Sequence, residues 1–146
     1  MNKQELLTLT KLKLSEKIMK LENLIAETRA SSNDTKSSMG DKYETGREML
    51  QQEINNLQIQ LNEILKQQDF LKTILPKTSE KVEKGAIVET DKGLFFTSVS
   101  LGEIVFENKK IIAISPESPL AKAMHGKKKN ENFSINNINQ NIKNIW

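Results

Sequence analysis

The stretch Leu50-Gln-Gln-Glu-Ile-Asn-Asn-Leu-Gln-Ile-Gln-Leu-Asn-Glu-Ile64 sets apolar side chains at 50, 54, 57, 61 and 64. Steps that alternate between four and three place these residues on one stripe of an α-helix, the seam of a coiled coil. Working outward, the same steps run back through Arg47 to Tyr43 and forward through Gln68 and Leu71 to Leu75, and Pro76 stops the helix. An upstream series has the same spacing: Leu7, a polar break at Lys11, then Leu14, Ile18, Leu21, Ile25 and Thr28. Between the two series, Ala30 to Asp41 loses the heptad and is crowded with Ser, Asn, Asp and Gly, whose side chains or backbone freedom compete with helix. The pattern predicts an antiparallel coiled-coil hairpin over residues 1–76, with an acidic tip near 31–44.

Composition agrees with a long helical part. The chain has 146 residues, of which 36% are hydrophobic, 5% aromatic and 28% charged. That is too polar for one large globular core and too rich in Leu and Ile for disorder. With no Cys and one His, disulfide frameworks, thiol nucleophiles, cysteine zinc sites and histidine triads are excluded or nearly so. The net charge of +3, from 22 Lys+Arg against 19 Asp+Glu, permits contact with nucleic acid or an acidic protein surface without specifying either. No apolar run approaches the roughly 18 residues of a membrane span and no signal peptide is evident, so a cytoplasmic protein without a membrane partner is expected.

After Pro76 the periodicity ends. Residues 77–84 read as a polar linker, and 85–146 as a small, mostly antiparallel α+β domain. Ala86 to Thr90 and Leu94 to Val99, around the turn residues Asp91-Lys-Gly93, form one predicted hairpin. Glu103 to Phe106 and Ile111 to Ile114, around Glu107 to Lys110, form another. Ser118 is a good N-cap, Pro119 suits the first helical position, and Gly126 suits a left-handed stop, which brackets a short helix. Phe133 to Ile135 and Asn141 to Trp146 are candidate closing strands, and the Asn-rich tail between them reads as composition without mechanism.

The tip carries Asp34, Asp41, Glu44 and Glu48 among Lys36, Lys42 and Arg47. Asp41 as N-cap and Glu44 three residues on make a capping box, favoured also by the helix dipole. The same two carboxylates, with Asp34 as a third candidate, can ligate a hard cation such as Mg²⁺. These roles are compatible, because a capping carboxylate keeps a free oxygen. Two carboxylates alone hold Mg²⁺ weakly, so a partner must supply the other oxygens. Elsewhere, Lys122 with Lys127-Lys-Lys129 is a basic cluster, read either as a solvated turn or as a contact with an acidic protein face or RNA. His125 follows the short helix, where the dipole favours its charged form. Phe95, Phe96, Phe106, Phe133 and Trp146 read as core or sheet-face residues.

Two segments resemble one known family. Gly40-Asp-Lys-Tyr-Glu-Thr45, joining two helices, is similar to the Gly-Asp-x-x-Glu-Asn tip of the bacterial GreA/GreB transcript-cleavage factors. Ile114-Ser-Pro-Glu-Ser-Pro-Leu-Ala-Lys-Ala-Met-His-Gly-Lys-Lys128 resembles that family's Ser-Pro-x-Ser-Pro segment, which lies in an FKBP-like C-terminal domain. The resemblance implies a transcription elongation factor whose partner is bacterial RNA polymerase. It places Ser115, Pro116, Ser118, Pro119, Lys122, Lys127 and Lys128 on the polymerase-binding side. It also implies that Asp41 and Glu44 help hold the second Mg²⁺ of the polymerase near backtracked nascent RNA. Such a factor stimulates the polymerase's own cleavage and is not an enzyme alone; a hairpin that buries its own seams is consistent with a monomer. The family pattern has Asn-Ala where this chain has Thr45-Gly46, and some relatives bind the same channel without stimulating cleavage. The alternatives are therefore a non-cleaving or inhibitory channel binder, an FKBP-like prolyl isomerase or chaperone with a coiled-coil arm, and a plain coiled-coil scaffold.

Overall fold

The computed structural model describes the backbone of residues 1–36 and 42–146, and the side chains outside 32–45. Helices α1 (Lys3–Lys36) and α2 (Lys42–Lys72) form the hairpin that the two seams predict. Isolated helices are marginal in water, so what stabilises them is the shared stripe. Ile18 and Ile25 of α1 pack with Ile54, Leu57 and Leu61 of α2, flanked by Leu21 and Ile64.

Three details differ from the sequence reading. α1 continues through Ser31, Ser32, Asn33 and Asp34 to Lys36, because the weak local preference of these residues for turns is overridden once a long helix has been nucleated. At the root of α1 the polar seam position is Thr10, fully buried, whereas Lys11 is exposed. Thr10 satisfies its hydroxyl inside its own helix, donating to the Leu6 carbonyl at 2.7 Å, which a lysine ammonium cannot do without a partner. α2 ends at Lys72, and Ile74 rather than Leu75 takes the last buried position; Leu75 is 59% exposed. The cause is local: Thr73 N–H donates to Phe70 and Ile74 N–H to Leu71, both three residues back, at 2.9 and 3.2 Å. With the tighter three-residue turn, Ile74 is buried as Leu71 is.

The chain forms two compact units, Leu12–Lys66 on one hand, and Met1–Lys11 with Gln67–Trp146 on the other. The second unit is built on a six-stranded sheet of order β3-β4-β2-β1-β6-β5. Its strands are β1 (Ile87–Thr90), β2 (Gly93–Thr97), β3 (Gly102–Phe106), β4 (Lys109–Ile114), β5 (Asn132–Ile135) and β6 (Ile138–Ile145), with α3 (Pro119–Met124) between β4 and β5. Both expected hairpins form, β1 with β2 and β3 with β4. β4 then lies parallel to β2, pairing Phe95 with Ile112 and Phe96 with Ala113. β2 is thus an interior strand, which explains why Phe95 and Phe96 are both buried although they point to opposite faces.

The tail has a mechanism after all. Asn136 and Asn137 have φ of 52° and 63°, the two left-handed positions of a tight hairpin turn, which asparagine tolerates better than most residues. They join β5 to β6, just as Glu107 and Asn108, at φ 51° and 62°, join β3 to β4. Asn141 fastens the same ladder: its backbone N–H donates to the Asp91 carboxylate at 3.0 Å and its side-chain amide to Asn132 at 2.8 Å. The core on one face of the sheet gathers Val82, Val88, Phe95, Met124, Phe133 and Ile142.

Residues 77–84, aperiodic in sequence, are packed. Val82 is buried in that core, its N–H donates to the Lys127 carbonyl at 2.8 Å, and its carbonyl accepts from Gly126 at 2.8 Å. Lys81 and Lys128 face each other across an isolated antiparallel bridge.

Candidate functional site

Asp41 lies outside the described residues, and the side chains of Asp34 and Glu44 do so too; α1 and α2 carry the backbone of Asp34 and Glu44 near the ends that flank 37–41. Within the hairpin unit, the stretch 12–36 rises on the order of 35 Å at ~1.5 Å per residue. Among the described residues, no three His, Asp or Glu side chains converge as a metal site would require.

The second group of expected residues is described in full. Ser118 caps α3 through a hydrogen bond from the Ala121 N–H at 3.2 Å, with Pro119 at the first turn. Ser115 accepts from the Glu117 N–H at 3.1 Å through its hydroxyl, and its carbonyl accepts from Ser118 N–H at 3.0 Å. The two serines thus build the turn and the cap that aim α3, and Pro116 lies half-buried between them. α3 anchors by Ala121 and Met124, both buried, and leaves Lys122 outside, 3.8 Å from Glu117. Both partners of that pair are well exposed, so it adds little stability. Gly126 has φ 78°, a left-handed stop, and the chain then turns back so that Lys127 and Lys128 run alongside Lys81 and Val82. Structure brings Lys81 to this basic cluster from far away in sequence. His125 is exposed beyond the end of α3.

A site that sequence reasoning missed lies in the same unit. Lys3 is 7% exposed, and its ammonium donates to the Lys77 carbonyl at 2.5 Å and to the Ser79 hydroxyl at 3.3 Å. Burial pulls its pKa from 10.5 down to about 8, opposed by the attraction of the Glu83 carboxylate. Its two partners, Lys77 and Ser79, also line an open cleft of about 370 Å³ together with Thr73, Leu75, Thr78, Glu83 and Lys84. Lys84 donates to the Thr73 hydroxyl at 3.2 Å and sits 5.7 Å from the centre of the Phe70 ring. One signal was available: Lys3 precedes Leu6, Leu7 and Thr10 by three, four and seven residues, so it shares their buried face.

The described residues define a two-unit α+β protein: a helical hairpin, and a mixed six-stranded sheet with a serine-capped helix beside a lysine cluster. No family model matches the chain, and no curated protein matches it. Among solved structures it is similar to the GreA factor homolog 1 (Gfh1) protein of Thermus thermophilus, at 18% identity over 93% of this chain and 94% of that one, with a TM-score of 0.39. It is likewise similar to Thermus aquaticus Gfh1, at 18% identity over 90% of each chain and a TM-score of 0.35. A further structure of the transcription factor Gfh1 is 16% identical, covering 91% of this chain and 89% of that one, at a TM-score of 0.38. No helix among the described residues is long and apolar enough to cross a membrane.

Proposed function

We propose that this chain is a cytoplasmic transcription elongation factor of the GreA/GreB type, a binding partner of bacterial RNA polymerase and not an enzyme by itself. The observation that carries the reading is the joint presence of Gly40-Asp-Lys-Tyr-Glu-Thr45 at the connection of a helical hairpin and Ser115-Pro-Glu-Ser-Pro119 at the start of a capped helix, in the family's order. In this reading the FKBP-like C-terminal part docks at the rim of the secondary channel, presenting Ser115 to Pro119, Lys122, Lys127 and Lys128. The hairpin enters the channel and offers Asp41 and Glu44 to the second Mg²⁺.

The chemistry fits the residue types. Carboxylates suit a hard cation, and a metal already held in part by the polymerase needs only one or two more oxygens. The ion, once held, supplies charge stabilisation and an activated water for cleavage of backtracked RNA. The chain's own share is to position Asp41 and Glu44, with Asp34 as a further candidate. The sequence expectation of Asp41 as an N-cap is compatible with this role, since a capping carboxylate keeps a free oxygen.

The test is RNA shortening in a purified backtracked polymerase complex with Mg²⁺, comparing the wild type with an Asp41→Ala, Glu44→Ala double variant that folds and binds. Faster cleavage with the wild type alone is expected. Binding without stimulation by either protein overturns cleavage stimulation and supports the second reading, a channel binder that modulates or inhibits. Thr45-Gly46 is the observation that favours this second reading, because it replaces the family's Asn-Ala and sets a glycine in the first turns of α2, where it loosens the helix by about 1 kcal/mol relative to alanine.

A further inference from the structure

We infer that Lys81 and Lys128 together clamp one carboxylate of an acidic protein surface, so that Lys81 belongs to the polymerase-docking side although it is remote in sequence from Ser115 to Lys128. The identity of the partner rests on the proposed function. Lys81 and Lys128 stand opposite each other in an isolated antiparallel bridge. The Val82 N–H donates to the Lys127 carbonyl at 2.8 Å, so the backbone bonding flanks the lysine pair and does not join it. In a pair of that kind the opposed Cα atoms are only about 4.5 Å apart, and both side chains leave on one face.

Like charges directly opposite one another are unfavourable, and the chain does not relieve this pair itself. Glu80 precedes Lys81, and the Glu131 N–H donates to the Lys128 carbonyl at 3.1 Å. Even so, among the described residues neither ammonium takes part in an ion pair. The face concerned is the outer one: Val82 is buried and Lys127 half-buried, whereas Lys81 and Lys128 are exposed. A carboxylate seated between the two ammoniums accepts from each through one oxygen and turns the mutual repulsion into two charge-assisted hydrogen bonds. A local rule broken without compensation inside the chain marks a functional place more often than a structural one.

The pair also sits where a docking surface would need it. The Gly126 N–H donates to the Val82 carbonyl at 2.8 Å, and Val82 and Met124 share one core cluster, so the bridge adjoins the end of α3. It therefore continues the surface on which Ser115 to Pro119 and Lys122 are proposed to meet the polymerase. Lys122 already has a carboxylate of its own chain, Glu117 at 3.8 Å, whereas the charges of Lys81 and Lys128 are unspent. The backbone bonds on either side of Val82 fix the pair before any partner arrives, so little ordering of the main chain opposes binding.

The experiment is competition binding of the full chain to purified bacterial core RNA polymerase, free of nucleic acid and in parallel as a complex carrying RNA, with thermal unfolding of each variant alone. Lys81→Gln and Lys128→Gln are each expected to weaken binding to the nucleic-acid-free enzyme about three- to tenfold at low salt, a difference that shrinks at high salt. Lys109→Gln, at an exposed lysine of β4, is expected to leave binding unchanged. In the free chain, Lys81→Gln is expected to keep Tm or raise it by about 1–3 °C at low salt, because the repulsion is relieved. A lysine that served only the fold would lower Tm instead, and that result overturns the clamp. Wild-type binding that Lys81→Gln does not weaken overturns the clamp and leaves the proposed function standing, as does equal weakening in Lys109→Gln, which signifies diffuse attraction. Absence of wild-type binding overturns the proposed function and the clamp with it. Weakening confined to the complex carrying RNA assigns the pair to phosphate and overturns the carboxylate.

Discussion

Lys3 and Ser79, 76 residues apart in the chain, are joined by a hydrogen bond of 3.3 Å from the lysine ammonium to the serine hydroxyl. The contact ties the first turn of α1 to the segment that follows α2, and it leaves a charge desolvated. That charge makes stability depend on pH. The folded-state pKa of about 8 lies below the unfolded 10.5, so between these values the unfolded chain holds more protons and stability rises with pH. Denaturant titrations from pH 8 to pH 10.5 are expected to show a gain of up to about 3 kcal/mol from this group. In Lys3→Met that rise is expected to vanish. A wild-type rise that persists in the variant assigns it to another group.

The end of α2 predicts an opposed pair of substitutions. Ile74 is 4% exposed and Leu75 59%. Ile74→Ala is expected to destabilise by about 2–4 kcal/mol through the lost side chain and the cavity left behind, and Leu75→Ala by less than about 0.5 kcal/mol. Equilibrium unfolding of both variants checks the tightened turn. The reverse order of effects would restore the unbroken heptad.

Gly85 faces the same isoleucine. It has φ 87°, and an added Cβ would lie 2.9 Å from Ile74 Cγ2. Left-handed backbone and overpacking act together here, so Gly85→Ala is expected to lower stability by about 2 kcal/mol or more. Thermal unfolding measures it. Gly102→Ala, with φ 80° and open space around the Cβ, carries the backbone term alone and should cost less.

The turn at Asn136 and Asn137 gives a prediction of either sign. Asn137→Gly is expected to be neutral or to stabilise by a few tenths of a kcal/mol, since glycine follows asparagine in the favoured two-residue turn. Asn136→Val forces a β-branched residue to φ near 52° and is expected to cost about 1–2 kcal/mol. Hydrogen-exchange protection of the β5 and β6 amides should fall with it.

Ser118→Ala removes the cap of α3 and is expected to cost about 1 kcal/mol, with Ser118→Gly costing less. A loss of polymerase binding far larger than this loss of stability, measured by competition on the same preparation, would assign the serine a direct contact beyond capping.

Much of this was readable from residue order. The spacing from Leu50 to Ile64 implies the hairpin because a helix repeats every 3.6 residues, and every seam position reports the same face. Ser118-Pro119 and Gly126 bracket α3 because capping depends on backbone groups within one turn. The root of the hairpin was misread at Thr10 and Ile74, where the choice between adjacent positions turns on a side-chain hydrogen bond and a tightened helical turn. The Asn-rich tail was misread because its composition was weighed without the φ that each asparagine adopts.

By itself, then, the sequence determined where helices and hairpins lie and which of their faces are apolar, since these follow from contacts within a few residues. Only the tertiary structure decided that β4 lies parallel to β2, that Lys81 stands opposite Lys128, and that Lys3 is buried against Lys77 and Ser79. Each of these joins segments with no local preference for one another. They are selected by the one arrangement that buries both faces of β2 and pairs the backbone of residues 77–84 at the same time.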